Sequence, residues 1–322
     1  DGKGNKMSKS LGNTVDPIKL VNQFGADIVR LWATSVAYQQ DVRISNDIMK
    51  QISENYRKIR NTMRFVLGNL NDFKENDLVA IKDLAPVDRY MLAELNDLID
   101  GYNNAYENFD FAEANQLILN YFTNLLSSFY MDFTKDILYI EKADSLRRRQ
   151  VQTVLYYHAK IMMKLISPVL VFTAEELHDH FHCDENKAES VFLEPAYQKI
   201  ELEDSESLKE YFKRYLDLRK DVLKALEQLR NDKVIKSNME AKVTISLKDD
   251  YKDMEKLADD LKQLFIVAKV NLVEDTTLEE FDSAYIKAEK FNGHQCPRCW
   301  NYFDEDEMEG ELCHRCHDVI NG

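Results

Sequence analysis

The stretch that decides the fold is residues 46–70, NDIMKQISENYRKIRNTMRFVLGNL. Its apolar residues recur at spacings of four and three, at Ile52, Tyr56, Ile59, Met63, Val66 and Leu70. In an α-helix this spacing puts the side chains on one face, which then packs against other helices. We therefore predict a long amphipathic helix with Asn46 as its N-cap. One flank of the apolar stripe carries Arg57, Arg60 and Arg64.

Helical patterns continue on the C-terminal side of this stretch. We predict helices over residues 86–108, 112–139 and 145–180, the last of them interrupted at Pro168, which removes a helical hydrogen bond. Residues 183–204 resemble a linker, and a charged helix follows over residues 205–231. The chain is therefore predicted to be mainly α, with a helical bundle at its centre.

The two ends of the chain have different patterns. After residue 240, Val243, Ile245 and Leu247 alternate as in a strand, residues 250–264 have helical spacing, and residues 264–273 predict a second strand. These elements predict a small α/β unit. Near the start, Asp16-Pro17 is a typical N-cap and first position of a short helix that ends at Gly25, and a second short helix follows over residues 26–36.

Charge is distributed unevenly along the chain. The net charge of −15 argues against a nucleic-acid partner, but residues 1–70 hold 11 Lys/Arg against 6 Asp/Glu, and the remainder is strongly acidic. A basic segment on an acidic body can still bind a polyanion locally. The most apolar stretch, residues 161–174, contains Lys164 and Pro168, so we expect no membrane partner. Because the first residues are polar and lack an initiator Met, we expect the chain to be cut from a longer polypeptide.

The first motif with chemical meaning is Lys6-Met7-Ser8-Lys9-Ser10. Two ammonium groups three residues apart, on a loop with Ser and Gly, are suited to binding polyphosphate and to stabilising the charge that develops as pyrophosphate leaves. The positive end of the following helix dipole adds to this. A solvated basic loop is the alternative interpretation, and it is the usual one for an arbitrary Lys/Ser pentamer.

The second motif is a pair of Cys-x-x-Cys knuckles near the C-terminus. Zinc holds four thiolates tetrahedrally in closed structural sites, so the sequence predicts one zinc ion bound by Cys296, Cys299, Cys313 and Cys316. Two disulfides or a redox pair are alternatives that a reducing, cytoplasmic location disfavours, and the fifth cysteine, Cys183, has no evident partner. His294, His314 and His317 lie close enough in the sequence to replace a cysteine as a ligand. We prefer four sulfurs, because both knuckles are complete without a histidine.

These motifs carry a specific family resemblance. The stretch from Lys6 to Pro17 resembles the KMSKS signature of class I aminoacyl-tRNA synthetases in the leucine, isoleucine and valine branch. GADIVRLW at residues 25–32, DVRIS at 41–45, YRKIRNT at 56–62 and CPRCW at 296–300 are similar to the bacterial isoleucyl-tRNA synthetases, and the resemblance covers essentially the whole chain. One departure is Lys236, where the family has Gly, which puts the local turn in doubt because Lys strains a positive φ.

The resemblance implies a two-step ligase that joins isoleucine and ATP into isoleucyl-adenylate and then transfers the acyl group to tRNA(Ile). ATP is a substrate, with Mg²⁺ implied. Lys6 and Lys9 are the implied catalytic residues, Lys9 being the ATP contact, and Ser8 and Ser10 shape the ATP-binding loop. Because the other parts of a class I catalytic site are missing from the sequence, we expect the chain by itself to be inactive. We expect the enzyme to be a monomer.

The resemblance also implies four segments. Residues 1–45 are the end of a Rossmann-type catalytic domain, residues 46–185 an anticodon-binding helical bundle, residues 186–290 a linker, helix and small α/β unit, and residues 291–322 a zinc ribbon. Unstacked anticodon bases are read by aromatic and arginine side chains, while arginines also bind phosphate. The predicted tRNA contacts are Arg57, Arg60, Arg64 and Trp300, although for the three arginines a solvated helix flank is an equal alternative.

Three other interpretations remain open from the sequence. A valyl- or leucyl-tRNA synthetase segment is the nearest, a non-catalytic tRNA-binding protein derived from a synthetase is the second, and a purely structural zinc-ribbon protein is the third. A second metal site at His178, His180, His182 and Cys183 is also conceivable, but we expect surface histidines at a helix C-terminus instead.

Overall fold

Short helices with well-defined caps open the chain. Helix α1 spans Pro17–Phe24, and the carboxylate of its N-cap Asp16 accepts a hydrogen bond from the backbone N–H of Ile18 at 2.9 Å. Gly25 ends it with a φ of 98°, a conformation that glycine adopts without strain. Helix α2 spans Ala26–Thr34. Both predicted helices are confirmed, although α2 ends two residues before the predicted residue 36.

The long helix predicted over residues 46–70 is α3, Asn46–Gly68. Its N-cap is Ser45, whose hydroxyl accepts a hydrogen bond from Ile48 N at 3.2 Å, so the predicted cap at Asn46 was wrong by one residue. The apolar stripe is buried in its second half, at Ile59, Met63 and Val66. Ile52 and Tyr56, in the first half, are half-buried.

Three further helical segments follow without an intervening strand. Helix α4 spans Pro86–Glu107 and α5 spans Phe111–Asn120. The helical path then widens into a π-helix, Tyr121–Tyr130, and continues as α6, Met131–Ile140. The predicted helix over residues 112–139 is therefore confirmed in extent. The π-helix was not predicted, because its change of hydrogen-bond register leaves no clear mark in the apolar pattern.

Helices α7, Leu146–Ile166, and α8, Val171–Asp179, are separated at Pro168 as predicted. The N-terminus of α8 is capped from far away in the chain. The buried carboxylate of Asp27 in α2 accepts hydrogen bonds from the backbone N–H of Thr173 at 2.7 Å and from its hydroxyl at 2.6 Å. Because the first N–H groups of a helix have no partner within it, this carboxylate joins α2 to α8.

The predicted small α/β unit is confirmed, with more strands than expected. Helix α9 spans Ser205–Asn231, and the elements that follow it are β1 Ala241–Leu247, α10 Ala258–Phe265, β2 Lys269–Leu272, β3 Glu279–Glu280 and β4 Ala284–Lys290. The sheet order is β2-β1-β4-β3, with β1 parallel to β2 and antiparallel to β4. The predicted second strand begins only at Lys269, since Leu264 is buried in α10.

The departure from the family pattern at Lys236 carries no backbone strain. The residue with positive φ in this turn is Lys233, at 59°, and Lys236 is not among the residues with positive φ. The backbone N–H of Lys236 donates to the Glu240 carboxylate at 3.3 Å. The doubt about this turn is therefore removed.

Two small hairpins and a helix end the chain. The hairpins pair β5, His294–Gln295, with β6, Tyr302–Phe303, and β7, Met308–Glu309, with β8, Leu312–Cys313; helix α11 spans His314–Asn321. None of the helices is both long and apolar enough to cross a bilayer. The predicted fold class, a mainly α chain with a small α/β unit and a cysteine-bearing ribbon, is confirmed.

The computed structural model describes residues 1–322, and the contacts divide them into two units. The first unit comprises residues 1–132 and 149–203, and the second comprises residues 133–148 and 204–322. The second unit therefore contains the turn between α6 and α7. The division into four segments at residues 45, 185 and 290 stays a prediction.

Candidate functional site

The signature loop, residues 1–13, is held together by its own hydrogen bonds. Residues Lys9–Leu11 form a 3₁₀ turn that Ser8 caps, its hydroxyl accepting from Leu11 N at 3.3 Å and lying 3.1 Å from the Ser10 hydroxyl. Gly12, at a φ of 66°, closes the turn. Asn13 ties the two ends of the motif together, since its amide oxygen accepts from Ser8 N at 2.9 Å and its Nδ2 donates to Lys6 O at 3.3 Å.

Two free cations project from this loop. Lys6 and Lys9 are exposed, and neither forms an ion pair with a carboxylate. A lysine ammonium is a compact charge on a flexible stem and donates up to three hydrogen bonds. The loop therefore offers two uncompensated positive charges on a backbone whose shape is fixed. The sequence analysis missed the role of Asn13, although this residue lies in the stretch from Lys6 to Pro17 that carries the resemblance.

The three arginines of α3 are not equivalent. Arg60 pairs with Glu176 of α8 through both guanidinium nitrogens, with Nη2 2.7 Å from Oε1. The hydrogen bond with Arg60 lowers the pKa of Glu176, and the hydrogen bond with Glu176 raises the pKa of Arg60 above its usual range. Arg57 has only an exposed ion pair with Glu54, one turn away on the same helix, and Arg64 is exposed. Arg60 therefore holds α3 to α8, whereas Arg57 and Arg64 face solvent.

The cysteine module, residues 291–322, brings its four predicted ligands together. Cys296, Cys299, Cys313 and Cys316 are all buried, and their sulfur atoms lie within 4.8 Å of one another. The Cys299 and Cys313 sulfurs are 3.8 Å apart, far beyond a disulfide bond of about 2.05 Å. A zinc ion with Zn–S bonds of about 2.3 Å in tetrahedral geometry separates its sulfurs by roughly 3.8 Å. The donor set and its spacing fit such an ion.

The four thiols differ in how readily they lose a proton. Although burial opposes it, backbone N–H groups of Cys299, Cys313 and Arg298 lower the pKa of Cys296 to about 6. Burial raises the pKa of Cys313 to about 11, and burial together with repulsion from the other sulfurs raises the pKa of Cys299 further. Four crowded sulfurs cannot all carry negative charge unless a cation joins them.

Side-chain cations surround the same sulfurs. Nη1 of Arg298 lies 3.5 Å from the Cys316 sulfur. Lys262 lies over the ring of Phe303, 4.3 Å from its centroid, and burial lowers the pKa of its ammonium. Four thiolates with one divalent ion carry two excess negative charges, which neighbouring cations offset. The group of side chains that could hold a metal ion consists of the four cysteines and includes none of His294, His314 and His317.

Trp300 is held in an exposed position by the first knuckle. Its side chain is 66% exposed and its φ is 65°, in the left-handed region. Its backbone N–H donates to Cys296 O at 2.8 Å, and Gln295 Nε2 donates to its carbonyl at 3.2 Å. Left-handed backbone in a bulky residue is uncommon and is maintained here by the closed knuckle.

The histidines near the end of α8 are not brought together as a group of ligand side chains. The four cysteines are the only group of this kind in residues 1–322. His178 is buried, and its Nε2 lies 2.8 Å from a Glu194 oxygen. Our expectation of surface histidines is right for His180 and His182 and wrong for His178, because Glu194 from the segment after α8 covers it.

Comparisons with known proteins show which proteins this chain resembles. Residues 1–45 match the family model "tRNA synthetases class I (I, L, M and V)", and residues 88–245 match "Anticodon-binding domain of tRNA ligase". The isoleucine–tRNA ligases of Bacillus mycoides (strain KBAB4) and Geobacillus thermodenitrificans (strain NG80-2) are 46% and 44% identical over 99% and 100% of the chain. Over nearly its whole length the chain is similar to isoleucine–tRNA ligases. It spans 36% of the length of these two relatives.

Two further results complete the comparison. The isoleucine–tRNA ligase of Staphylococcus epidermidis (strain RP62A) is 46% identical over 99% of the chain, which spans 35% of its length. Among solved structures, the ternary complex of Agrobacterium radiobacter K84 LeuRS with tRNA and LeuAMS aligns with a TM-score of 0.49 at 22% identity, over 65% of this chain and 23% of that one.

The two matched stretches contain some of the sites described above and leave out others. The signature loop lies in the part matched as a class I synthetase. Helices α4 to α9 lie in the part matched as an anticodon-binding domain, whereas α3 and its arginines lie between the two matched stretches. Arg57, Arg60, Arg64 and Trp300 all lie outside the stretch matched as an anticodon-binding domain, so their role in tRNA contact stays a prediction.

Proposed function

We propose that this chain is part of an isoleucine–tRNA ligase that acts as a monomer and joins isoleucine to tRNA(Ile) at the expense of ATP. In the first step the isoleucine carboxylate displaces pyrophosphate from ATP, and in the second the acyl group moves to the terminal adenosine of the tRNA. The observation that carries this proposal is the pair of unpaired ammonium groups, Lys6 and Lys9, on a loop fixed by Ser8 and Asn13.

The signature loop would act on the phosphates in the first step. Negative charge accumulates on the pyrophosphate as its bond to the α-phosphorus breaks, and a preorganised cation lowers the energy of that state. Lys9, at the start of the 3₁₀ turn, would contact ATP directly, with Lys6 in support. Ser8 and Ser10 shape the turn that presents Lys9. Mg²⁺ would accompany the ATP phosphates.

The test is isoleucine-dependent exchange between ATP and pyrophosphate. A full-length ligase that contains this segment should catalyse the exchange with isoleucine and should charge tRNA(Ile). The 322-residue chain alone should remain at background, since it supplies only the signature loop of the ATP site. Exchange by the full-length enzyme that prefers leucine or valine would overturn the assignment. Isoleucine-dependent exchange well above background by this chain alone would instead contradict the expectation that the chain lacks the rest of the catalytic site.

We further propose that the cysteine module binds one structural Zn²⁺ through its four sulfurs. Four sulfur ligands leave no open position for a substrate, so the ion would have no catalytic role. The module has strands of only two residues, and an ion at its centre would supply the stability that a core cannot. Five free thiols also favour a reducing compartment such as the cytoplasm. Elemental analysis should give one zinc per chain.

For tRNA contact we propose Trp300, with Arg57 and Arg64 in lesser roles. An exposed indole whose backbone is held by two hydrogen bonds is suited to stacking on an unpaired base. The chain contains two tryptophans, so in a Trp32→Phe variant all indole fluorescence comes from Trp300. Addition of tRNA(Ile) should quench that fluorescence, and tRNA affinity should fall in Trp300→Ala. Undiminished fluorescence at saturating tRNA would exclude stacking.

A further inference from the structure

The two knuckles of the cysteine module share a feature that zinc binding does not require. Each has an arginine immediately before its second cysteine, Arg298 in CPRC and Arg315 in CHRC. Both guanidinium groups reach the same helix, α6. The residues that they contact, Asp136 and Ile140, are four apart and therefore lie on one face of that helix.

The contact of Arg315 is an ion pair with ideal donor geometry. Its Nη1 and Nη2 donate to the two carboxylate oxygens of Asp136 at 2.6 and 2.7 Å. A second carboxylate, Glu141, lies 3.6 Å from Nη1. Such fork-like pairs are among the strongest and most directional polar contacts in proteins. This pair fixes the second knuckle against α6.

The contact of Arg298 links the sulfurs directly to the helix end. Nη2 donates to the carbonyl of Ile140 at 2.8 Å, while Nη1 lies 3.5 Å from the Cys316 sulfur. The carbonyl belongs to the last residue of α6, where helical carbonyls lack intrahelical partners. The Ile140 side chain is buried in one cluster with the four cysteines. The end of α6 is therefore part of the wall of the metal site.

We propose that Arg298 and Arg315 are positioning residues that couple metal binding in the cysteine module to the order of residues 133–148, which comprise the end of α6, the turn after it and the start of α7. The proposal rests on the zinc site proposed above. Without an ion, the short hairpins have no core to hold the two arginines in place, so their contacts with Asp136 and Ile140 would be lost together. Coupling is reciprocal, so an intact turn must in return slow the loss of the ion.

The first test uses the full chain with and without metal, under reducing conditions. Hydrogen exchange measured by mass spectrometry should show that removal of zinc with a chelator speeds exchange roughly 10-fold or more in residues 133–148, as well as in residues 291–322. If residues 291–322 lose protection and residues 133–148 keep theirs, the coupling is refuted. A chain that binds no zinc refutes the metal site and the coupling together.

The second test breaks the contact from the helix side and leaves every residue of the module unchanged. Asp136→Asn removes the bidentate pair, and we expect zinc transfer to a chromogenic chelator to become roughly 10-fold faster while the zinc content stays at one per chain. Asp144→Asn is the matched control. It removes an exposed carboxylate from the turn that follows α6, and Asp144 contacts neither Arg298 nor Arg315. Equal rates of zinc release from the two variants would overturn the proposal.

Discussion

The signature loop and the cysteine module are both short, polar and poor in regular structure, yet their functional groups are arranged in opposite ways. In the loop, hydrogen bonds of Ser8 and Asn13 fix the backbone while the ammonium groups of Lys6 and Lys9 face solvent without partners. In the module, the four sulfurs are buried and the partners surround them. The first arrangement suits a ligand that arrives and leaves, and the second suits an ion that stays.

The contrast offers a general criterion for the polar groups of this chain. A charged or ligating group that is exposed and unpaired is available to a substrate or to RNA, whereas one that is buried and satisfied stabilises the fold. His158 and Asp27 fall in the second class by this criterion, and Arg60, which is half-buried and paired with Glu176, lies nearer to the second class than to the first. Lys9, Arg64 and Trp300 fall in the first.

The largest effect is expected in the cysteine module. Cys299→Ser removes one of four ligands, so the zinc content should fall from one per chain to none. Structural zinc in small peptides contributes on the order of 10 kcal/mol or more to folding, so the module should lose its order as well. Elemental analysis and proteolysis of residues 291–322 measure the two effects. Cys183→Ser is the control, since that buried thiol donates only to Leu70 O at 3.6 Å and its loss should leave zinc in place.

The next effect concerns Lys9 in the full-length ligase. Loss of one preorganised charge costs on the order of 3–4 kcal/mol in the transition state, so Lys9→Ala should slow adenylate formation by roughly 100- to 1000-fold. Isoleucine affinity should change much less, because isoleucine binds in another part of the site. Transfer from preformed adenylate should also change much less, because pyrophosphate has already left before that step. Presteady-state measurement separates the steps. Lys3→Ala, on the same loop, should be nearly normal, and an equal slowing of transfer in Lys9→Ala would contradict the phosphate role.

A smaller effect is expected at His158, the buried counterpart of the exposed histidines. Its Nε2 lies 2.8 Å from the Tyr121 hydroxyl, and burial, opposed by the hydrogen bond to Val154 O, lowers its pKa to about 4. A histidine in an unfolded chain has a pKa of about 6.5, so as the pH falls the unfolded state is protonated at a higher pH than the folded state. Stability is then fully present above pH 6.5 and falls by about 2 kcal/mol between pH 7 and pH 5.

Urea denaturation over this pH range measures the effect. His158→Gln should be less stable at pH 7 and should show a shallower loss of stability towards pH 5. His180→Gln, at an exposed position, should keep the slope of the parent chain. An unchanged slope in His158→Gln would assign the pH dependence to other groups.

The smallest effect separates the arginines of α3. Because the Arg60–Glu176 pair is more than a third exposed on the Glu176 side, Arg60→Gln should cost about 1 kcal/mol or less in unfolding free energy at pH 7. Arg60 lowers the pKa of Glu176, so the contribution is present above the unfolded pKa of about 4.3 and is lost as pH falls below it. Arg64→Gln should leave stability unchanged and weaken tRNA binding. The reverse pattern would contradict the criterion.

Much of the molecule follows from local sequence. The four-and-three spacing in α3 is a property of one helix, Asp16-Pro17 and Gly25 mark helix ends within a few residues, and two Cys-x-x-Cys turns present their sulfurs in pairs. Each of these signals depends only on residues within a few turns of the chain. It can therefore be recognised from that stretch of sequence alone. The lysine motif is of the same kind.

The tertiary structure alone decided which of these pieces meet. Asp27 caps a helix that begins 144 residues later, Arg60 pairs with Glu176, and Arg315 pairs with Asp136 from 179 positions away. Strand β4, in the middle of the sheet, went unpredicted because its place depends on pairing with β1 and not on its own pattern. Periodicity and capping are local, whereas an ion pair exists only after the chain has closed the loop between its members. The sequence by itself therefore determined the helices and the residue types that could bind phosphate or a metal ion. The tertiary structure determined which charged side chains form ion pairs and which remain unpaired.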